Sequence, residues 1–286
     1  MKRLNTFELM KANYDINREL EKINNYIFSI DIFFRRNING NIITNYTFAS
    51  MIDDYLWDEW NYADTCLGVE EYYERVNADI DTMNDYSEEN IINFLEASEN
   101  LMYMYSSNDT KLFDEYKIEC YADYDKLELL MREAKKHIGL ISKKIKDKIV
   151  LYPKKPTLEK AVEIVKEEEL QWELIRYARG LLNLSEKKKI LTLLATELYI
   201  EKDSKLYTYE PLKIVLDDAT FLLNNLHLRH NNKSGKHENV SVKHMNNAEI
   251  EKWCDVLYEK ILVIILLKEQ AKSIQELIDF KKRIAN

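Results

Sequence analysis

Four of the five histidines, His227, His230, His237 and His244, fall within eighteen residues, in the stretch FLLNNLHLRHNNKSGKHENVSVKH, which also carries Arg229 and one of only five glycines. Imidazole changes charge near neutrality and the Arg guanidinium offers a planar fork to phosphate, so proton transfer, phosphate binding and metal ligation are all open to such a cluster. The bland account of the same residues is a polar loop between helices. An RNA phosphodiester is cut by its own 2′-hydroxyl when one group takes that proton, a second protonates the leaving oxygen and a cation stabilises the charged phosphorane. Histidines suit the first two roles and Arg229 the third, with no metal or other cofactor required. A zinc site built from His227, His230, His237 and Glu238 is the alternative, and it requires every ligand to converge from one loop. Elsewhere the chain has no phosphate-binding glycine loop and no serine-nucleophile motif.

Helices must position these residues. Gly (5) and Pro (3) are scarce and Leu, Ile, Glu and Lys abundant, which removes the turn residues a sheet-rich fold needs and predicts an all-α chain. From residue 153 onward four helices are expected. The first, 157 to 183, opens at Thr157 after Pro156 and carries an apolar stripe through Leu158, Ala161, Val162, Val165, Leu170, Leu174, Tyr177 and Leu181. Ser185 is placed to cap the second, EKKKILTLLATELY, with Glu186 in its first turn. The third begins near Pro211 and ends where Asn and Gly take over; the fourth opens with Asn246 and Glu249 spaced as a capping box and runs to Leu277. Four amphipathic helices on short links make an antiparallel bundle, and the His-rich stretch joins its third and fourth members.

Residues 1–152 read as a separate helical domain, acidic and rich in aromatics. Positions 51 to 100 hold fifteen Asp and Glu against Arg75 alone, whereas 131 to 155 hold nine Lys and Arg against Glu133 and Asp147. The acidity reads either as solvated helix faces or as a surface for a basic partner. The KKIKDK segment reads either as a contact for RNA phosphates or as a solvated basic linker. KIVLYPKKPT holds two of the three prolines and marks the connection, with room for one short strand. Cys66, Cys120 and Cys254 lie far apart with no CxxC pair, as suits a reducing cytoplasm. MKRLNTFELMKANYD lacks the apolar core of a signal peptide, and the longest apolar run, ILVIILL, is seven residues, so neither export nor a membrane partner is expected.

LLNNLHLRHNNKSGKH resembles the signature of HEPN-domain proteins, an Arg, a polar residue and a later His beside the last helix of a four-helix bundle. LIRYARGLLNLSEKKKILTLLATELY and AEIEKWCDVLYEKILVIILL are similar to HEPN-like proteins of the bacterial abortive-infection (phage defence) and toxin type, and the resemblance covers 150 to 286. Arg229 matches the motif Arg, His230 the polar position and His237 the closing His. Seven residues separate Arg229 from His237, one more than the family's range, which shifts weight towards His230. The resemblance implies a metal-independent endoribonuclease acting on RNA as a homodimer, with Arg229, His230 and His237 catalytic, and a defence setting with an inhibitor or regulator protein. Proximity gives Asn231 and Asn232 a substrate-positioning role. The family also contains inactive members, so the alternative is a non-catalytic dimerisation and interaction protein whose acidic domain binds a basic partner.

Overall fold

Asp15 accepts a hydrogen bond from the Arg18 backbone N–H and starts α1, Ile16–Phe28, which buries Ile16, Leu20, Ile23 and Ile27 at helical spacing. The structure is a computed structural model that describes residues 15–60, 66–80, 86–197, 209–226, 228 and 245–285. The chain divides into two units, Met1–Pro153 and Lys154–Asn286. Both are mainly helical.

In the first unit α1 leads into a hairpin of β1, Phe33–Arg36, and β2, Ile42–Tyr46, and β3, Ile118–Cys120, pairs with the other edge of β1. Asn37 Oδ1 accepts from the N–H groups of Asn39 and Asn41, and Gly40 supplies the positive φ of 79° that closes the turn. Phe33 on the central strand is fully buried against Phe48, Tyr105 and Tyr124, with ring centroids 4.9 to 6.0 Å away. Burial of such a ring contributes about 1.5–3 kcal/mol.

Short helices α2, Phe48–Tyr55, and α3, Val69–Arg75, pack beside the long α4, Glu88–Lys111. Ser87 caps α4 through the Asn90 N–H, and its apolar faces carry Ile91, Phe94, Leu95 and Leu101 into the core. Helix α5, Asp123–Ile138, stops at Gly139, which adopts φ 70° and lets the chain turn at once into the hairpin of β4, Leu140–Ile145, and β5, Lys148–Pro153. Lys146 and Asp147 form the two-residue turn, with Lys146 at φ 55°.

These strands correct the expectation of a wholly helical N-terminal domain. Scarcity of Gly and Pro does not exclude sheets here, because the turns rest on Asn side chains, one Gly and a left-handed Lys. KIVLYPKKPT is likewise more than a connection: its first six residues are β5, whose backbone is held by α4. Asn100 donates from Nδ2 to the Ile149 carbonyl and accepts the Ile149 N–H at Oδ1, both at 2.8 Å, and Glu96 Oε2 accepts the Leu151 N–H at 2.8 Å.

The second unit holds five helices among the described residues, where four were expected: α6, Pro156–Ile164, α7, Glu168–Ala178, α8, Leu184–Glu197, α9, Glu210–Asn225, and α10, Asn247–Ala285. The expected helix over 157 to 183 is broken at Val165, whose ψ of 125° is extended. Glu167 to Glu169 restart it, because acids are favoured in a first helical turn, and Gln171 Nε2 donates to the Val165 carbonyl across the break. Leu158, Ala161, Val162, Leu170, Leu174 and Tyr177 are all buried, so the stripe read from the sequence is the core-facing one.

Helix α8 is capped by Asn183 rather than Ser185: Asn183 Oδ1 accepts the Glu186 N–H at 3.0 Å, and Glu186 Oε2 accepts the Asn183 N–H at 3.2 Å. The Asn246–Glu249 capping box opens α10 as expected, at 2.9 and 3.0 Å. Within the apolar run Ile261, Leu262, Ile264 and Ile265 are buried. Among the described residues no helix is long and apolar enough to cross a membrane.

Candidate functional site

Arg229, His230, Asn231, Asn232 and His237, together with His227, Glu238 and His244, lie outside the described residues. The described chain on either side fixes where that stretch is attached. Helix α9 closes with the Leu226 N–H on the Leu222 carbonyl at 2.8 Å, the Leu228 N–H bonds the Leu223 carbonyl at 3.0 Å, and Thr192 Oγ1 of α8 donates to the Leu228 carbonyl at 3.4 Å.

Lys260 Nζ of α10 lies 2.6 Å from Asp218 Oδ2 of α9, and Val215, one turn earlier on α9, shares a groove with Val263, one turn later on α10. Thr192, bonded to Leu228 just past α9, and Lys187, bonded to Asp255 in the first third of α10, stand five residues apart on α8, about 7.5 Å along it, so α9 and α10 are antiparallel neighbours. The end of α9 and the start of α10 therefore lie at one end of the unit.

A part-buried polar cluster joins three helices near the start of α10. Asp255 Oδ1 accepts from Tyr177 Oη of α7 at 2.9 Å and from Lys187 Nζ of α8 at 3.0 Å. The Lys187 side chain is 11% exposed and that of Asp255 54%. Tyr177 stacks on Tyr258 with centroids 4.2 Å apart, and Tyr258 Oη donates to the Leu174 carbonyl at 2.6 Å. Burial, reinforced by the Asp255 charge, pushes the Tyr177 phenol well above its ordinary range, so it stays a proton donor. The neighbouring Cys254 thiol is pushed up by burial to about 11 and is not a nucleophile near neutrality.

With the lysine ion-paired and the phenol and thiol protonated, Asp255 accepts both hydrogen bonds and the cluster ties three helices together. Sequence reading missed it because Lys187 is the first of three consecutive lysines that look like a solvated face. The available signal is register, since Lys187 alone of the three stands three, four and seven residues before the buried Ile190, Leu191 and Leu194.

Asp255 also borders the groove between α9 and α10, about 650 Å³, with Val215, Val256 and Val263 apolar and Glu251 and Glu259 acidic. The first unit has a smaller cavity of about 280 Å³, edged by Glu70, Glu74 and Asp79 with Asn24 and Ser29. The KKIKDK segment is the tip of the β4–β5 hairpin and not a linker. There Lys144 binds the Tyr103 hydroxyl and lies over its ring, which lowers the Tyr103 phenol, and nearby Lys135 Nζ lies 2.6 Å from Glu99 Oε2. No family model, curated protein or solved structure matches the chain.

Proposed function

We propose that the C-terminal unit is a HEPN-like, metal-independent endoribonuclease of a bacterial defence or toxin-like system. One observation carries the reading: Arg229, His230 and His237 stand in sequence between two antiparallel helices, so the segment that bears them starts and ends at one end of the unit. Arg229 holds the scissile phosphate. His237 and His230 move protons, one taking the 2′-hydroxyl proton as the 2′-oxygen bonds to phosphorus, the other protonating the 5′-oxygen as its bond to phosphorus breaks. Asn231 and Asn232 position the substrate. The products are a 2′,3′-cyclic phosphate and a 5′-hydroxyl.

The test is incubation of the purified chain with single-stranded RNA in excess chelator. Fragments with cyclic-phosphate ends from the wild type, and none from Arg229→Ala, support the reading. Equal cleavage by both sinks it.

A second reading, a non-catalytic interaction protein whose first unit captures a basic partner, is favoured by the acidic edge of the cavity at Glu70, Glu74 and Asp79. It gains ground where no RNA is cut and Glu74→Lys abolishes binding of a basic protein.

A further inference from the structure

The β4–β5 hairpin gives the first unit a concentrated positive tip. Residues 143–148, KKIKDK, hold four lysines against Asp147 alone, whereas residues 51–100 hold fifteen acids against Arg75. Cross-strand pairing sets Lys148 opposite Ile145, and Lys143 shares that face two residues earlier; Lys144 stands on the other face and Lys146 in the turn. Lys144 and Lys146 are exposed, Lys143 and Lys148 part-buried. The tip is therefore basic on both faces and at its end. Lys146 holds a left-handed φ of 55°, which Gly adopts freely and which costs a lysine on the order of 1 kcal/mol. A turn shaped for stability alone takes Gly or Asn there; lysine adds a charge instead.

The ribbon has a firm mount and an aromatic neighbour. Asn100 and Glu96 of α4 bind the backbone of Ile149 and Leu151, so its base is fixed to a helix. One turn along α4 from Asn100, the part-exposed Tyr103 takes Lys144 over its ring, 4.7 Å from the centroid, and its hydroxyl binds the same ammonium. An aromatic ring beside clustered ammonium groups is the combination that holds single-stranded nucleic acid without reading its sequence, bases stacking on the ring while phosphates meet the lysines. The nearby acids leave it intact. Lys135 engages Glu99 at 2.6 Å and Lys136 engages Glu133 at 3.4 Å. Asp147 lies 3.6 Å from Lys144 and is 72% exposed, and such surface pairs contribute at most about 1 kcal/mol, so a phosphate can replace it. Ile145, the one apolar residue of KKIKDK, is buried, which leaves the tip nothing to insert into a bilayer.

We propose that this tip, Lys144 and Lys146 with Tyr103 beside them, binds the phosphate backbone of single-stranded nucleic acid without regard to sequence. The proposal stands apart from the ribonuclease reading, because the first unit, Met1–Pro153, carries none of Arg229, His230 and His237.

The probe is oligodeoxythymidylate of about 20 nucleotides, which lacks the 2′-hydroxyl and reports binding without cleavage. Fluorescence anisotropy with the full chain shows binding at ~50 mM salt that weakens as salt rises. Lys144→Gln combined with Lys146→Gln raises the dissociation constant at least about tenfold and lowers the slope of log K against log salt by about 1.4, two phosphate contacts at about 0.7 each. Tyr103→Leu weakens binding about fivefold or more with the slope unchanged, as loss of stacking requires. Lys126→Gln, which removes an exposed lysine of α5, changes neither quantity, and circular dichroism of every variant matches the wild type. Absence of wild-type binding, equal binding by the double variant, full binding by Tyr103→Leu, or a loss in Lys126→Gln as large as in the double variant each overturns the proposal. Binding to phosphatidylserine vesicles without binding to the oligonucleotide overturns it in favour of a lipid surface.

Discussion

Lys187 Nζ sits 3.0 Å from Asp255 Oδ1, so a side chain from a run of three lysines ties the start of α8 to α10 across 68 residues of sequence. The two partners differ in their access to water. Lys187 is nearly enclosed and Asp255 is half open.

Loss of the two partners is therefore unequal. Asp255→Ala strands a buried ammonium and is expected to destabilise the second unit by about 3 kcal/mol, whereas Lys187→Met leaves a carboxylate that rehydrates and costs about 1 kcal/mol. Denaturant titration of each variant measures the asymmetry. Equal losses would show that Lys187 reaches water in solution.

The Asn100 clamp on β5 should be equally specific. Asn100 is 2% exposed and satisfies both backbone groups of Ile149, so Asn100→Ala is expected to cost about 2–3 kcal/mol through unpaired backbone polar groups. Amide exchange at Ile149 should accelerate in that variant while exchange in α1 at Leu20 does not.

Glu173 gives a pH dependence with a defined sign. Burial raises its carboxyl above the ordinary value of 4.5, and Arg176 at 3.7 Å opposes this only in part. A carboxyl raised in the folded state favours folding at low pH and loses that contribution as pH rises through its folded value. Glu173→Gln is therefore expected to raise the melting temperature at pH 7 to 8, with the gain shrinking as pH falls towards 4. A gain independent of pH would exclude the charge as its cause.

The helices were largely legible because burial follows the sequence stripe: Leu158, Ala161, Leu170 and Leu174 face inward as their spacing requires. The break between α6 and α7 also had a signal, the five-residue step from Val165 to Leu170 where a continuous helix keeps three or four. Asn39–Gly40 between Phe33–Arg36 and Ile42–Tyr46 is a hairpin signal that whole-chain composition outweighed. Strands of three to six residues are too short to display alternation by themselves. The Lys187–Asp255–Tyr177 cluster was hidden for another reason: three consecutive lysines look like a solvated face, and only their register against Ile190, Leu191 and Leu194 sets Lys187 apart from Lys188 and Lys189.

Cysteine chemistry separates the three thiols. Cys120 is exposed, Cys66 and Cys254 are buried, and burial raises the Cys254 thiol to about 11. Iodoacetamide at pH 8 is expected to modify Cys120 alone in the native chain and all three in denaturant, as peptide mass spectrometry would resolve. Rapid native labelling of Cys254 would show that α10 opens from its bundle.

For the proposed ribonuclease, Arg229→Ala and His237→Ala are each expected to lower RNA cleavage by about 10² to 10⁴ with helical content retained, and His244→Ala to change it far less. A silent His237→Ala beside a dead His230→Ala would place the second proton transfer on His230, as the longer motif spacing allows. Cleavage rates and far-ultraviolet circular dichroism on the same preparations distinguish these outcomes.

A two-stranded hairpin ordinarily presents two raw margins to which a stray strand can add, the first step towards fibres. On β5 that margin is occupied, because Asn100 and Glu96 of α4 bind the backbone of Ile149 and Leu151. A single helix thus does the work of a third strand without offering a new edge. The same amide that holds the hairpin in place also denies the backbone of Ile149 to the strand of a neighbouring molecule.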